Sequence, residues 1–245
     1  LSTTSLSVVR RFGIIGFFLV VIALALLPIF GTDFGKGAVR WFSLNWLTIQ
    51  PSEYLKPFFV VFISWIVAGN IHSNPRVGLI LSFFSMAICV FLLTMQPDLG
   101  QTVVLIGCWV IIHFIVGVSW LFSAVFFTFV STVAFFFIQF SNHVATRLKT
   151  FFSSVIDPTS QMGLVEQAIH SGGFLGVGAG NGKIKWSLPD AHTDFIIAVA
   201  IEEFGLIVFI IILTLYIIIL LRTLSRLLVE RNPFLLLVGL GLLTI

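Results

Sequence analysis

Long unbroken apolar runs dominate this chain, and a helix needs about 20 such residues to cross a lipid bilayer. Inside lipid a backbone must satisfy its own hydrogen bonds, which leaves helices or closed barrels. The runs do not alternate with polar residues, so helices are expected. Of the 245 residues, 58% are hydrophobic and 9% charged, with a mean hydropathy of +1.14. Soluble domains carry about a quarter charged residues, so this composition specifies an all-α, polytopic helical membrane protein. The expected spans are Phe12 to Phe30, Ser52 to Asn70, Val77 to Met95, Leu99 to Val116, Ser119 to Gln139 and Phe195 to Leu221, with an incomplete seventh from Pro233. Only the bare turn at Gly117 and Val118 joins the fourth and fifth, which are therefore expected to pack as an antiparallel pair.

The chain starts at Leu1 without a methionine and stops about 13 residues into the run from Pro233, so it is expected to be a fragment, read here as a single transmembrane domain over residues 1–245. Cys89 and Cys108 lie within apolar runs without a spaced Cys/His set and read as inert core residues. The basic residues are scattered among membrane-flanking loops, which speaks against a nucleic-acid partner. If Arg10 and Arg11 are cytoplasmic, parity puts Arg76, Arg222, Arg226 and Arg231 on the same side. Lys36, Arg40, Lys56, Arg147, Lys149, Lys183 and Lys185 then fall outside or in the outer half. The six inside belong to short loops, where the positive-inside rule applies, and four of the seven outside belong to one long extracytoplasmic loop, residues 140–194, where it does not. Apart from Glu202 and Glu203, every acid but Glu230 then lies on the outer side.

Three acids share one address. Glu53 follows Pro51 and Ser52, Asp98 follows Gln96 and Pro97, and Asp194 follows His192 and Thr193, each opening an apolar run directed inward. These are helix-start residues, and each taken singly reads equally well as a cap. Together they gather positive helix ends at one surface, which suits a phosphate-bearing ligand such as a lipid-linked pyrophosphate. Arg40 beside Trp41 can present a guanidinium to such a phosphate or simply flank an interfacial aromatic, and Trp46 reads as an interfacial anchor. Six glycines between Gly172 and Gly182 precede Lys183 and Lys185 but match no nucleotide-binding pattern. They read as a flexible connection or, preferably, as a close-approach loop beside substrate. His113 reads as a helix-packing residue. Glu202 and Glu203, inside an apolar run, are functional candidates by default. Helical spacing puts Glu202 about 80° from Asp194, able to line the same cavity, and Glu203 about 180° away, bonding to another helix.

These stretches resemble the SEDS family (shape, elongation, division and sporulation) of bacterial peptidoglycan glycosyltransferases, and more its division-type FtsW branch than its RodA branch. The matching segments are Lys36 and Gly37 with Arg40 and Trp41, IQPSEYLK (Ile49 to Lys56), QPDLGQ (Gln96 to Gln101), RLKTFFSSVIDP (Arg147 to Pro158), and SGGFLGVGAG, LPDAHTDF and EEFG within Ser171 to Gly205. The resemblance implies about ten spans, of which this chain holds about seven, and lacks the C-terminal proline- and glycine-rich motif. Ser160 stands beside Gln161 where the family usually has tyrosine.

What the resemblance implies is polymerisation of lipid II at the outer face of the bacterial cytoplasmic membrane during cell division, with the site facing the periplasm or exterior. Asp194 matches the catalytic aspartate. Arg40, Lys56, Lys183, Lys185, His192 and Thr193 are the substrate-binding candidates, and Glu53, Gln96, Asp98 and Glu202 the supporting ones. A divalent cation, Mg or Mn, is a candidate cofactor, with Asp194, Glu53 and Asp98 as candidate ligands. Implied partners are a class B penicillin-binding transpeptidase and other division membrane proteins. A flippase using Glu202 and Glu203 as relay groups and a non-catalytic division scaffold are the competing readings. Polar residues gathered on one face, instead of along a path through the bilayer, favour the enzyme.

Overall fold

The structure, a computed structural model, describes residues 5–32, 39–44, 47–96, 98–117, 128, 160–189 and 191–245. It divides into two compact units, one of Leu1–Val125 with Thr223–Ile245 and one of Phe126–Arg222. Four helices are long and apolar enough to cross a membrane: α1 (Leu6–Phe30), α2 (Pro51–Asn70), α3 (Pro75–Met95) and α7 (Leu206–Leu227). With α4 (Leu99–Ile115) and α8 (Pro233–Leu243), both shorter, they make a multi-pass helical membrane protein. The expected all-α architecture gains one small exception, a hairpin of β1 (Phe42–Leu44) and β2 (Leu47–Ile49) in which Ser43 faces Thr48. The expected fifth span falls outside the described residues, apart from position 128.

In the first unit, α1 and α2 approach closely because glycine meets bulk. A Cβ at Gly13 would overlap Val61, and one at Gly16 would overlap the Phe58 ring. Without a hydrophobic driving force between helices in lipid, such close backbone approach is a main source of association. Phe17 stacks on Phe62 with ring centroids 4.0 Å apart, and Leu24, Leu27, Leu55, Phe59 and Ile63 are fully buried around them. On the opposite flank α8 lays Gly241 against Val60 and Ile112, and the Thr244 hydroxyl donates to Cys108 Sγ at 3.0 Å. Both cysteines are free and buried, as expected. His113 is a packing residue too. Its Nδ1 donates to the Trp109 carbonyl and its Nε2 meets Ser82 Oγ, each at 2.8 Å, tying α4 to α3.

Arg10, Gly69 and Asn232 line one cleft, so the start of α1, the end of α2 and the start of α8 share one end of this unit. The polar residues of the α2 and α4 starts therefore lie at the other end, as the charge pattern implies. Asn232 caps α8 by accepting from Phe234 N at 3.0 Å.

The second unit corrects the sixth expected span. Phe195 to Leu221 is not one helix: α6 (Ile196–Phe204) stops, Gly205 turns at φ 80°, and α7 starts at Leu206. Glu202 and Glu203 therefore sit in a nine-residue helix ahead of the span instead of within it. The expected long loop is not all loop either, since α5 (Gln161–Gly172) packs on α6 through Ala168, Leu188 and Ala198. Ser160 caps α5, accepting from Gly163 N at 3.1 Å, which gives the serine at this place a structural role.

Gly13→Leu is expected to destabilise the detergent-solubilised protein by about 1–3 kcal/mol through overpacking. Adding Val61→Ala should recover much of that loss, because the two changes act on one contact; thermal unfolding of the single and double variants measures both.

Candidate functional site

A proline builds the polar end of the first unit. Pro28, inside α1, has no N–H to give the carbonyl four residues back, so Leu24 O is left without its helical donor. Gln96, buried at the end of α3, supplies the missing bond: its Nε2 donates to Leu24 O at 3.2 Å. The Gln96 carbonyl in turn accepts from Arg40 Nε at 2.9 Å, which fastens the segment before the hairpin to the α3–α4 turn. Arg40 is thereby pinned by backbone and half-buried, not presented as a bare guanidinium.

Beside it, Asp98 is the N-cap of α4. Its Oδ1 accepts from Gln101 N and its Oδ2 from the Ser52 hydroxyl at 3.3 Å, while Gln50 Nε2 donates to Ser52 Oγ at 3.0 Å. Glu53, in the first turn of α2 and not at its cap, pairs with Lys56 at 2.7 Å and accepts from Gln101 Nε2. Ser52, Gln96 and Asp98 are all buried. Among the described residues no three His, Cys, Asp or Glu groups converge as a metal site. The oxygens of Glu53 and Asp98 are instead covered by hydrogen-bond donors, one of them cationic. That donor set does not fit a divalent ion.

The second unit carries Asp194. The residue lies in an exposed turn with His192 and Thr193, one position before Phe195, the N-cap of α6. Asp194 is thus neither a helical residue nor a cap. The helical angle drawn from it to Glu202 does not apply, because the helix starts two residues later. Ala191 and Phe195, on either side, pack against the Ala168–Leu188–Ala198 cluster, so the turn is held at both shoulders while its polar side chains face outward. Asp190 lies outside the described residues, as does Lys36.

The glycine-rich stretch comes close to α6 itself. A Cβ at Gly176, whose φ is 80°, would overlap the Glu203 carbonyl, and one at Gly172 the Ile201 carbonyl. Val177 N and Gly178 N donate to Glu202 O and Glu203 O, both at 3.0 Å, and Leu206 N donates to Gly173 O at 3.0 Å. The loop is thus the C-terminal cap of α6. Lys185 closes it by pairing with Glu203 at 2.5 Å and lying over the Trp186 ring. Hydrogen bonds from the Gly180 backbone and then from Lys185 hold the Glu203 carboxyl below the usual carboxylate range. Glu203 therefore bonds to this loop and not to another helix. Glu202 is buried, and its Oε1 accepts from Lys183 N and Ile184 N at 2.7 and 3.0 Å. The Lys183 side chain is exposed.

Ser52, Gln50 and Gln101 are the participants that residue chemistry alone missed. A signal for the last existed, because Asp98 and Gln101 stand three apart in the capping-box spacing.

The cell cycle protein family FTSW_RODA_SPOVE matches over residues 1–245. A probable peptidoglycan glycosyltransferase FtsW of Caulobacter vibrioides is 35% identical over 212 residues, 85% of this chain and 53% of that protein. The protein of the same description in Trichlorobacter lovleyi is 30% identical, over 88% of this chain and 58% of that one. The chain thus spans little more than half the length of these relatives. Among solved structures, a peptidoglycan synthase complex coordinating polymerisation and crosslinking contains a chain that superposes with a TM-score of 0.72 at 21% identity, covering 97% of this chain and 68% of that one. The rod shape determining protein RodA of Thermus thermophilus superposes at 0.62 and 22% identity, covering 98% and 64%.

Gln96→Ala is expected to cost about 1–3 kcal/mol by stranding the Leu24 carbonyl. In a Pro28→Ala background, whose restored backbone N–H takes that carbonyl, the cost should fall; a double-mutant cycle of thermal unfolding reads the difference.

Proposed function

The chain belongs to the FtsW, RodA and SpoVE family of cell cycle proteins, and from that premise we propose that its function is to polymerise lipid II into glycan strands, with Asp194 as the general base. The relatives' description as probable peptidoglycan glycosyltransferases supports the reaction. The observation that carries the residue assignment is the Asp194 carboxylate itself, exposed on a turn whose two shoulders are packed down.

The chemistry needs little more. The acceptor sugar hydroxyl attacks the anomeric carbon of the donor as Asp194 takes its proton; the bond from that carbon to the pyrophosphate oxygen breaks, and the lipid pyrophosphate leaves with the electron pair. Attack opposite the leaving group turns an α-linked donor into a β-linked product. One base is sufficient because pyrophosphate departs without protonation, unlike the paired carboxylates of glycoside hydrolysis. Cationic charge lowers the barrier to its departure. Lys183 suits that role through its exposed side chain, whereas Lys185, Lys56 and Arg40 already hold Glu203, Glu53 and the Gln96 carbonyl. His192 and Thr193, in the same exposed turn, are the residues assigned to the sugar in this reading. The site faces the exterior of the cytoplasmic membrane, and a class B penicillin-binding transpeptidase is the partner that crosslinks the strands made here.

In full-length protein, Asp194→Asn should keep its fold and its partner transpeptidase but lose about 10²–10⁴-fold in lipid II polymerisation, the usual worth of a general base. Gel analysis of the glycan product checks this; a variant that polymerises normally removes Asp194 from the role.

A further inference from the structure

Glu202 is 2% exposed, and its carboxylate is used in an unusual way. One oxygen, Oε1, accepts from two consecutive backbone amides, Lys183 N and Ile184 N. The other, Oε2, has no hydrogen-bond partner among the described residues. It is walled in by Gly182, where a Cβ would lie only 2.9 Å away. A proton relay needs a connected second oxygen; this carboxylate has a backbone clamp on one side and a closed wall on the other.

The clamped amides open the segment that ends at Asp194. From Ile184 a single 3-10 turn (Ile184–Trp186) carries the chain to Leu188, whose N donates to Ile184 O at 2.9 Å and whose side chain is buried against Ala168 and Ala198. Ala191 and Phe195 then pack on the same cluster on either side of Asp194. Leu188, Ala191 and Phe195 thus share one cluster with α6, and the position of the Asp194 turn is referred back to Glu202 through that packing. Two consecutive backbone amides donating to one buried carboxyl oxygen make a stiff reference point.

We propose that Glu202 is a positioning residue: its buried carboxylate clamps the Lys183–Ile184 backbone to α6 and so sets where Asp194 meets the acceptor. The consequence for catalysis rests on the polymerase reading above, while the clamp itself does not. Glutamine keeps an Oε1 carbonyl in the same place and can accept both amides, without the charge. Aspartate is one methylene short and alanine has no acceptor.

The test uses the full-length protein and its Glu202→Gln, Glu202→Asp and Glu202→Ala variants, with amide hydrogen exchange over residues 183–188 and steady-state lipid II polymerisation measured side by side. Thermal unfolding first confirms which variants fold. The expected result is that Glu202→Gln retains slow exchange in this segment and polymerises within about tenfold of wild type. Glu202→Asp should exchange faster and polymerise less, through kcat more than KM. Glu202→Ala, where it folds, should lose the protection entirely. Rescue by glutamine is the outcome that a proton-carrying role does not give. The proposal is overturned if Glu202→Gln abolishes polymerisation while the segment stays protected, which makes Glu202 a proton carrier. It is equally overturned if the alanine or aspartate variant leaves both protection and rate unchanged. A wild-type protein that shows the protection pattern but no polymerisation refutes the polymerase reading and leaves the clamp standing.

Discussion

A helix interrupted within an apolar body releases backbone groups that water does not reach, and each must find a donor or acceptor within the protein. Among the described residues, two such interruptions organise the polar groups. At Pro28 the missing N–H leaves the Leu24 carbonyl open, and the Gln96 amide fills it. At Gly205 the chain turns between α6 and α7, and the last carbonyls of α6 take the amides of Val177 and Gly178. The polar side chains of each unit are arranged around these repairs.

The repairs fix which groups remain for chemistry. In the first unit Gln96 draws Arg40 to its carbonyl, and Asp98 divides its carboxylate between Ser52 and the start of α4. Glu53 and Lys56 neutralise one another. In the second unit the glycine loop that caps α6 brings Lys185 onto Glu203 and the Lys183 and Ile184 amides onto Glu202. Of the acids singled out, Asp194 alone is both exposed and carried on a turn with packed shoulders. That contrast, between acids occupied in holding structure and one presented to the surroundings, supports the proposal of Asp194 as base more than any motif spacing does.

Much of the fold was legible in the sequence because apolar runs of span length admit few solutions. The bounds of α2, α3 and α4 follow from Pro51, Pro75 and Asp98 at their starts. His113 and the two cysteines read correctly as packing groups. The site was legible in identity more than in arrangement. The acids at helix starts stood out, but the sequence does not distinguish a cap such as Asp98 from a first-turn residue such as Glu53 or an uncapped turn residue such as Asp194. The break at Gly205 was missed because a glycine within an apolar run carries the same hydropathy pattern whether the helix continues or stops. What decides is the close approach of Gly172 and Gly176 to the α6 backbone, a contact between segments some 30 residues apart that no local pattern records. The sequence places Glu202 and Glu203 within one continuous helix for the same reason, whereas their carbonyls take the amides of the glycine loop that caps α6.

The glycan product is the most direct evidence of what this family member does. Full-length protein, reconstituted with its partner transpeptidase and given lipid II, should yield strands that a muramidase digests and in which every new linkage is β, the inverse of the donor. Lipid II recovered unpolymerised, or only redistributed between leaflets, would contradict the account.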